Sequence, residues 1–336
     1  MKRILLFLGL VGGFFFGVNA PIQAASMNFT ADPQTTDTSK GYFDFAAKPG
    51  QKQDLVVKVS NVSNHEITLA VEFLNALGNP SGGVAYVKQD QLENSKLTDS
   101  KRLASKYLHG PKEITLKPNE TKMVTYTFEA PKDVSKGQIV GGLNFLEKAT
   151  SQKMPAKNKK AVQINTQLAK MVAVVANFSK QQANLQVKEM TVSSSASNPF
   201  LNLHLVNKIP QMAADLQVDY TVKKMSGKKI GHAITAKSPI AAASDFKYQL
   251  AWPAKVYKPG TYKVDVNVTS KNPDQSFRHT YVVHVKNQDT KTYAQKSGQT
   301  SVQTHSPMMI TIVIILLVII VGLAGVIVRL MKNNNK

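Results

Sequence analysis

From about residue 50 to residue 285, apolar side chains recur at every second position, the period of a strand with one buried face. Leu55, Val57 and Val59 alternate with Val56, Lys58 and Ser60. Ile67, Leu69, Val71 and Phe73 resume the pattern after a turn through Asn61 to Asn64. Val124, Tyr126 and Phe128 repeat it with threonines between them. Farther on come Leu201, Leu203 and Leu205, then Leu216, Val218, Tyr220 and Val222, then Phe246, Tyr248, Leu250 and Trp252. Tyr262, Val264, Val266 and Val268 precede a last strand with Phe277, Tyr281, Val283 and Val285 on one face. Turn residues separate these runs. Lys48-Pro49-Gly50, Lys117-Pro118-Asn119 and Lys258-Pro259-Gly260 each precede an alternating run. Proline presets φ there, and Gly or Asn accepts a positive φ at the next position. Ser226-Gly227 reads as a hairpin turn. Such spacing predicts an all-β chain, two tandem immunoglobulin-like antiparallel β-sandwiches. A short helix fits only around Leu97 to Leu108, where Leu103 and Tyr107 share a face.

Both ends depart from this pattern. Lys2 and Arg3 precede an apolar stretch from Ile4 to Val18 and small residues at Ala20, Ala24 and Ala25, the layout of a secretory signal peptide over residues 1–25. Met308 to Val328 has Thr311 as its only polar member. At ~1.5 Å per residue it spans ~32 Å, matching a hydrocarbon core of ~30 Å, so a C-terminal transmembrane helix is expected over 308–328. Arg329, Lys332 and Lys336 follow, which places a basic tail, 329–336, in the cytoplasm by the positive-inside rule. The expectation is a single-pass type I membrane protein with its bulk outside the cell. A polar stretch over 288–307 reads as a stalk. The first sandwich is expected over 27–178 and the second over 180–287. This division takes 138–148 and 162–178 as one hairpin across the Lys-, Ser- and Ala-rich segment 149–160. If that segment is a true linker, the first module ends near 150 and the second begins near 161.

The chain has no cysteine. An exported protein without disulfides suggests a bacterium, and Gram-positive cells fit best. The absence also removes thiol nucleophiles and cysteine-based zinc sites. No G-x-S-x-G, H-E-x-x-H, P-loop or G-x-G-x-x-G motif occurs. The seven histidines are scattered, and His279 and His284 are expected on opposite faces of one strand. No enzyme, cofactor or metal is therefore expected. Without its terminal charges (Lys2, Arg3, Arg329, Lys332 and Lys336), the chain keeps 37 basic against 21 acidic residues. That excess favours an anionic polymer of the cell wall as partner, or serves solubility alone. No basic block with interleaved aromatics suggests nucleic acid.

Two local features are candidates for ligand contact. In Gly41-Tyr42-Phe43-Asp44-Phe45, the phenylalanines point inward, leaving Tyr42 and Asp44 outward, where they could stack on and hydrogen-bond a sugar or simply decorate a strand. Gly141 and Gly142 lie inside a strand, which suggests a bulge or a close backbone approach, by the chain itself or by a partner.

The run G-Y-F-D-F-A-A-K-P-G-Q-K-Q (41–53), then L-V-V-K-V-S-N-V-S (55–63), resembles the opening of the WxL-interacting proteins of Gram-positive bacteria. So do P-K-E-I-T-L-K-P-N-E-T-K (111–122) and G-Q-I-V-G-G-L-N-F-L-E-K (137–148). The resemblance is strongest from Asn28 to Lys148 and weaker from Ala161 to Val285. It implies a peptidoglycan-binding module followed by a host-binding module, with peptidoglycan, a WxL-domain surface protein and host extracellular matrix protein as partners. It assigns no individual binding residue. The expected role is a non-enzymatic, membrane-anchored surface scaffold. The alternative is a strand-donating chaperone or docking subunit for the assembly of surface complexes.

Overall fold

The computed structural model describes residues 27–37, 39–148, 168–194, 199–254, 257–271 and 274–297. The expected signal peptide, membrane span and basic tail lie outside these residues. Among the described residues, no helix is long and apolar enough to cross a membrane.

The alternating runs of the first half become strands β1 (Phe29–Pro33), β2 (Phe43–Ala46), β3 (Lys52–Asn61), β4 (Ile67–Gly78), β5 (Val84–Val87) and β6 (Gln91–Leu92). Then follow β7 (Ser95–Leu97), β8 (Leu108–His109), β9 (Glu113–Leu116), β10 (Thr121–Glu129), β11 (Gln138–Glu147) and β12 (Ala169–Asn177). One sheet has the order β1-β3-β10-β8, and the other runs β2-β12-β11-β4-β5 with β9 also on β4. The inward parity is the one the pattern predicts. Leu55, Val57 and Val59 of β3, with Tyr126 and Phe128 of β10, share a core with Leu69 and Val71 of β4 and Leu143 and Phe145 of β11. Tyr126 meets Phe73 and Phe145 edge-on at 6.0 and 6.1 Å, an arrangement that adds about 0.5–1.5 kcal/mol per pair beyond area burial. The turns behave as their residues require: Gly50 and Asn119 have φ of 74° and 57°. Each closes a turn in which Gln51 or Glu120 donates to the carbonyl three residues back. Asn61 fastens one end of this module. Its buried side-chain amide donates to the carbonyls of His65, Leu116 and Lys117, and its oxygen accepts from the Ser63 N–H.

The second half supplies β13 (Leu185–Ser194), β14 (Pro199–Asn207), β15 (Ala213–Lys224), β16 (Lys229–Ile234), β17 (Ser238–Ile240), β18 (Ser244–Ala251), β19 (Gly260–Lys271) and β20 (Gln275–Val285). One sheet is β16-β15-β19-β20, with β17 on β15. The facing sheet is β13-β14-β18, and it continues into β7-β6 from the first half of the chain. Leu201, Leu203 and Leu205 meet Val218, Val222, Val264 and Val266 in the second core, capped by Trp252 against Tyr262 at 5.2 Å. Gly227, with φ of 87°, turns β15 into β16.

The modules are therefore interlocked rather than merely consecutive. β7 pairs with β18 through Leu97↔Ser244, Lys96↔Asp245 and Ser95↔Phe246. Thr98 N–H donates to the Ala243 carbonyl, Lys247 N–H to Asn94 and Gln249 N–H to Pro80. A second junction lies at Gly137 and Gln138. The Gln138 N–H donates to the Pro210 carbonyl, and its side-chain oxygen accepts the Met212 N–H at 2.8 Å. Gly78 is packed so closely on the Phe246 ring that a Cβ there would lie 2.4 Å from it.

Two local expectations change. The segment 97–108 holds two 3-10 turns, Ser100–Arg102 and Ala104–Lys106, because Leu103 between them is extended, with φ −69° and ψ 95°. The polar stretch read as a stalk begins instead with a helix, α1 (Asn287–Ser297). The Asp289 carboxylate accepts the Lys286 N–H, half of a capping box, and Tyr293 packs edge-on against Tyr257 at 5.9 Å. Its residues are polar apart from Tyr293 and Ala294, which leaves no apolar periodicity to find. Residues 298–307 of the expected stalk lie outside the described residues.

Candidate functional site

The outer face of the β2-β12-β11-β4-β5 sheet carries the first candidate surface. Phe43 is buried and Phe45 packs edge-on against Phe128, which turns Tyr42 and Asp44 outward as expected. On the opposite rim, β5 presents Tyr86, whose hydroxyl is pushed up by burial and by the neighbouring Tyr42 phenol. The two tyrosines thus stand at opposite rims of one outer sheet face. Beside them Lys88 binds Glu72 at 2.6 Å, and Asn144 donates to the same carboxylate at 3.4 Å. Outward phenols with a polar border suit a flat, hydroxyl-rich ligand, since a phenol offers both an apolar body and a hydrogen-bonding tip.

Asp44 is less free than its outward position suggests. One carboxylate oxygen accepts from Lys40 at 2.7 Å, and the other from the Asn177 amide at 2.6 Å. Asn177 in turn accepts from Gln138, which binds Met212 of the second module. The carboxylate therefore begins a chain of hydrogen bonds that ends at the junction between modules.

Gly141 and Gly142 do not form a bulge. The register runs unbroken through both, Gly141↔Val174 and Gly142↔Ala173 on one side and Gly141↔Asn75 and Gly142↔Leu74 on the other. Both are buried, and the close approach comes from the chain itself. A Cβ on Gly141 would lie 2.3 Å from the Ala104 methyl and from the Leu74 carbonyl oxygen. On Gly142 it would lie 2.6 Å from the Met171 sulfur. These glycines admit a 3-10 turn on one face and a methionine on the other, so neither is open to a ligand.

A second surface crosses the outer face of β16-β15-β19-β20, where an open groove of about 510 Å³ is lined by Asp219, Thr221, Asp265, Asn267, Arg278 and Thr280. Its polar groups pair with one another. Lys223 and Thr280 each reach Asp265 at 2.6 Å and hold its carboxyl below the usual range. His232 meets Asp219 at 2.8 Å. His279 and His284 fall on opposite parities: the first meets the Tyr281 ring edge-on at 4.6 Å, and the second meets Thr261 at 3.0 Å. Among the described residues no cluster of His, Asp and Glu could hold a metal. The groove offers hydrogen bonds to a polar partner and no activated nucleophile.

Charge is divided unequally between the halves, which the whole-chain count conceals. Residues 27–148 hold 15 basic and 14 acidic residues, whereas 149–307 hold 22 basic and 7 acidic. The near-neutral stretch ends with β11; counted through β12, residues 27–178 hold 20 basic and 14 acidic residues and 179–307 hold 17 and 7, so the excess is shared and larger in the second module.

Residues 26–147 match the peptidoglycan-binding domain of the WxL Interacting Protein family, and residues 159–295 match its host-binding domain. The chain belongs to the WxL-interacting protein family. In this WxL-interacting protein the family boundary falls between β11 and β12, so each domain lends a strand to the other. β12, matched to the host-binding domain, pairs with β11 in the first module, while β7, matched to the peptidoglycan-binding domain, pairs with β18. No curated protein matches the chain. Solved structures similar to it include a chaperone and tip adhesin pre-assembly complex from the archaic chaperone-usher Csu pili of Acinetobacter baumannii. That one is 12% identical, with a TM-score of 0.35, over 71% of this chain and 94% of that one. Another is a Salmonella enterica pilin in complex with its chaperone, 13% identical, with a TM-score of 0.29, over 78% of this chain and 99% of that one. Likeness at this level identifies no partner.

Proposed function

We propose that this WxL-interacting protein is a non-enzymatic adaptor of the Gram-positive cell surface, held by the span at 308–328, that grips peptidoglycan with its first module and a protein with its second. The protein partner is a WxL-domain surface protein, with host matrix protein as a further ligand. Two immunoglobulin-like sandwiches suit that role because rigid sheet faces present wide, pre-formed contact areas. The carrying observation is the outer face of the first module, where Tyr42 stands at one rim and Tyr86 at the other, inside the segment matched to a peptidoglycan-binding domain.

Sedimentation of residues 27–297 with insoluble peptidoglycan tests the reading. The protein should pellet at physiological salt, and Tyr42→Ala or Tyr86→Ala should each weaken binding about tenfold, a loss of about 1.4 kcal/mol. Protein that stays in the supernatant overturns it.

A strand-adding docking subunit remains the second reading, favoured by one observation: in this chain a short hairpin already completes a neighbouring sheet by main-chain pairing. Among the described residues the edge strands β16 and β20, paired with β15 and β19, are the segments available for a partner in their sheet. A complex with a WxL-domain protein that persists at high salt would favour it, because backbone pairing is screened less than surface charge.

A further inference from the structure

The two ends of the second module differ in chemistry. At one end β18 takes up β7, and Pro210 receives Gly137. At the other, β15 turns into β16, β19 begins opposite the last residue of β20 (Gly260↔Val285), and the chain leaves through α1. Lys224 pairs with Tyr262 and Lys223 with Lys263, which brings the hairpin tip and the start of β19 together. Lys224, Lys228, Lys229, Lys258 and Lys286 are all exposed there. The acidic groups near them are occupied: Asp265 binds Lys223, and Asp289 accepts the Lys286 N–H. Between the two lysine pairs of the hairpin sits Met225, 50% exposed.

A turn that served only solubility would gain nothing from a bare thioether at its tip. At a lipid surface the same sequence is well suited, since methionine and the lysine stems enter the interface while the ammonium groups meet phosphates. The position fits as well. Only residues 298–307 separate α1 from the apolar run at 308–328, and ten residues reach at most about 35 Å.

We propose that this end of the second module, with the hairpin Lys223–Lys229 at its centre, docks onto the anionic lipid surface of the membrane that anchors the chain. The inference rests on the membrane-anchored reading above. Docking orients the molecule: the module lies against the bilayer by its lysine end, and the first module, fixed to the opposite end, points away into the wall.

The chain has no cysteine, so Met225→Cys carries a single environment-sensitive dye in the full-length protein. The probe is vesicles of phosphatidylglycerol with phosphatidylcholine, compared with phosphatidylcholine alone. In protein that floats with both, the dye emission should shift to the blue in the anionic vesicles only. Lys224→Gln, Lys228→Gln and Lys229→Gln together should reduce the docked-to-undocked ratio about a hundredfold, about fivefold per lysine. Equal emission in the two vesicle types, with flotation intact, overturns the docking and leaves the anchor standing. Failure to float with either overturns both. Loss of the shift on adding soluble glycerol-phosphate polymer places the partner in the wall and overturns the lipid assignment.

Discussion

Gly137 is where the interlocking of the modules can be measured. Its φ of 76° lies in the left-handed region, and a Cβ there would stand 2.3 Å from the Pro210 carbonyl oxygen of the second module. Gly137→Ala therefore carries two costs. The left-handed backbone costs a β-carbon about 1–2 kcal/mol. Overpacking against a fixed neighbour costs about 1–3 kcal/mol. Gly227 separates the two: its φ is 87°, and nothing lies within 4 Å of its Cβ position. Gly227→Ala should lose about 1–2 kcal/mol, and Gly137→Ala about 2–5 kcal/mol. Urea unfolding of residues 27–297 measures both, against a total stability of about 5–15 kcal/mol. The m-value should stay that of the parent, because the same surface is exposed on unfolding. If Gly137→Ala costs no more than Gly227→Ala and small-angle scattering shows an enlarged particle, the modules swing apart at little cost. The docked arrangement would then be refuted.

Three further outcomes are expected. Asn61→Ala should lower stability by about 1–3 kcal/mol, because it strips partners from the His65, Leu116 and Lys117 carbonyls; a thermal midpoint unchanged from the parent would contradict this. Burial pushes the Tyr220 hydroxyl, which donates to the Ala251 carbonyl at 2.7 Å, up to about 12. Its folded value exceeds the unfolded value of about 10, so its contribution is whole below pH ~10 and is lost as pH rises through the folded value. Phenolate absorbance should show exposed tyrosines ionising first and Tyr220 later, with Tyr220→Phe removing amplitude from the late phase; a single step near pH 10 in folded protein would count against it. Finally, fragments cut at the family boundary, 26–147 and 159–295, should each be less stable than their halves of the intact chain, since one lacks β12 and the other lacks β7. Two fragments that unfold at the same urea concentration as the intact chain would show the exchange to be ornamental.

Strand positions were legible because burial on one face of a pleated sheet writes itself into the chain as alternation. Leu201, Leu203 and Leu205 announce their strand, and Gly50, Asn119 and Gly227 announce their turns by needing positive φ. The short hairpin β6–β7 was not legible. Gln91, Glu93 and Asn94 are polar because they lie at a sheet edge, and pairing with β18 leaves no local trace. α1 escaped for a related reason, since its sequence is polar apart from Tyr293 and Ala294. At the candidate surface, Tyr42 and Asp44 were placed outward on parity alone, whereas Tyr86 belongs to a strand whose four residues are all half-buried and show no alternation. Gly141 and Gly142 signalled a close approach, but only tertiary contacts tell that the approaching groups are Ala104 and Met171. The uneven charge of the two halves was present in the sequence and needed only to be counted by module.

The exchange of strands has a consequence for how the chain is made. Ser95–Leu97 emerges about 150 residues ahead of Ser244–Phe246, its partner. At a delivery rate of about 5–20 residues per second, the hairpin waits roughly 8–30 s with an open edge. β11 waits for β12 only briefly, so the first core can close while one loose tab still hangs from it. A protease or a holding factor that meets the emerging chain would have its best opportunity during that interval, and once the tab is taken up, neither half can be released without disturbing the other.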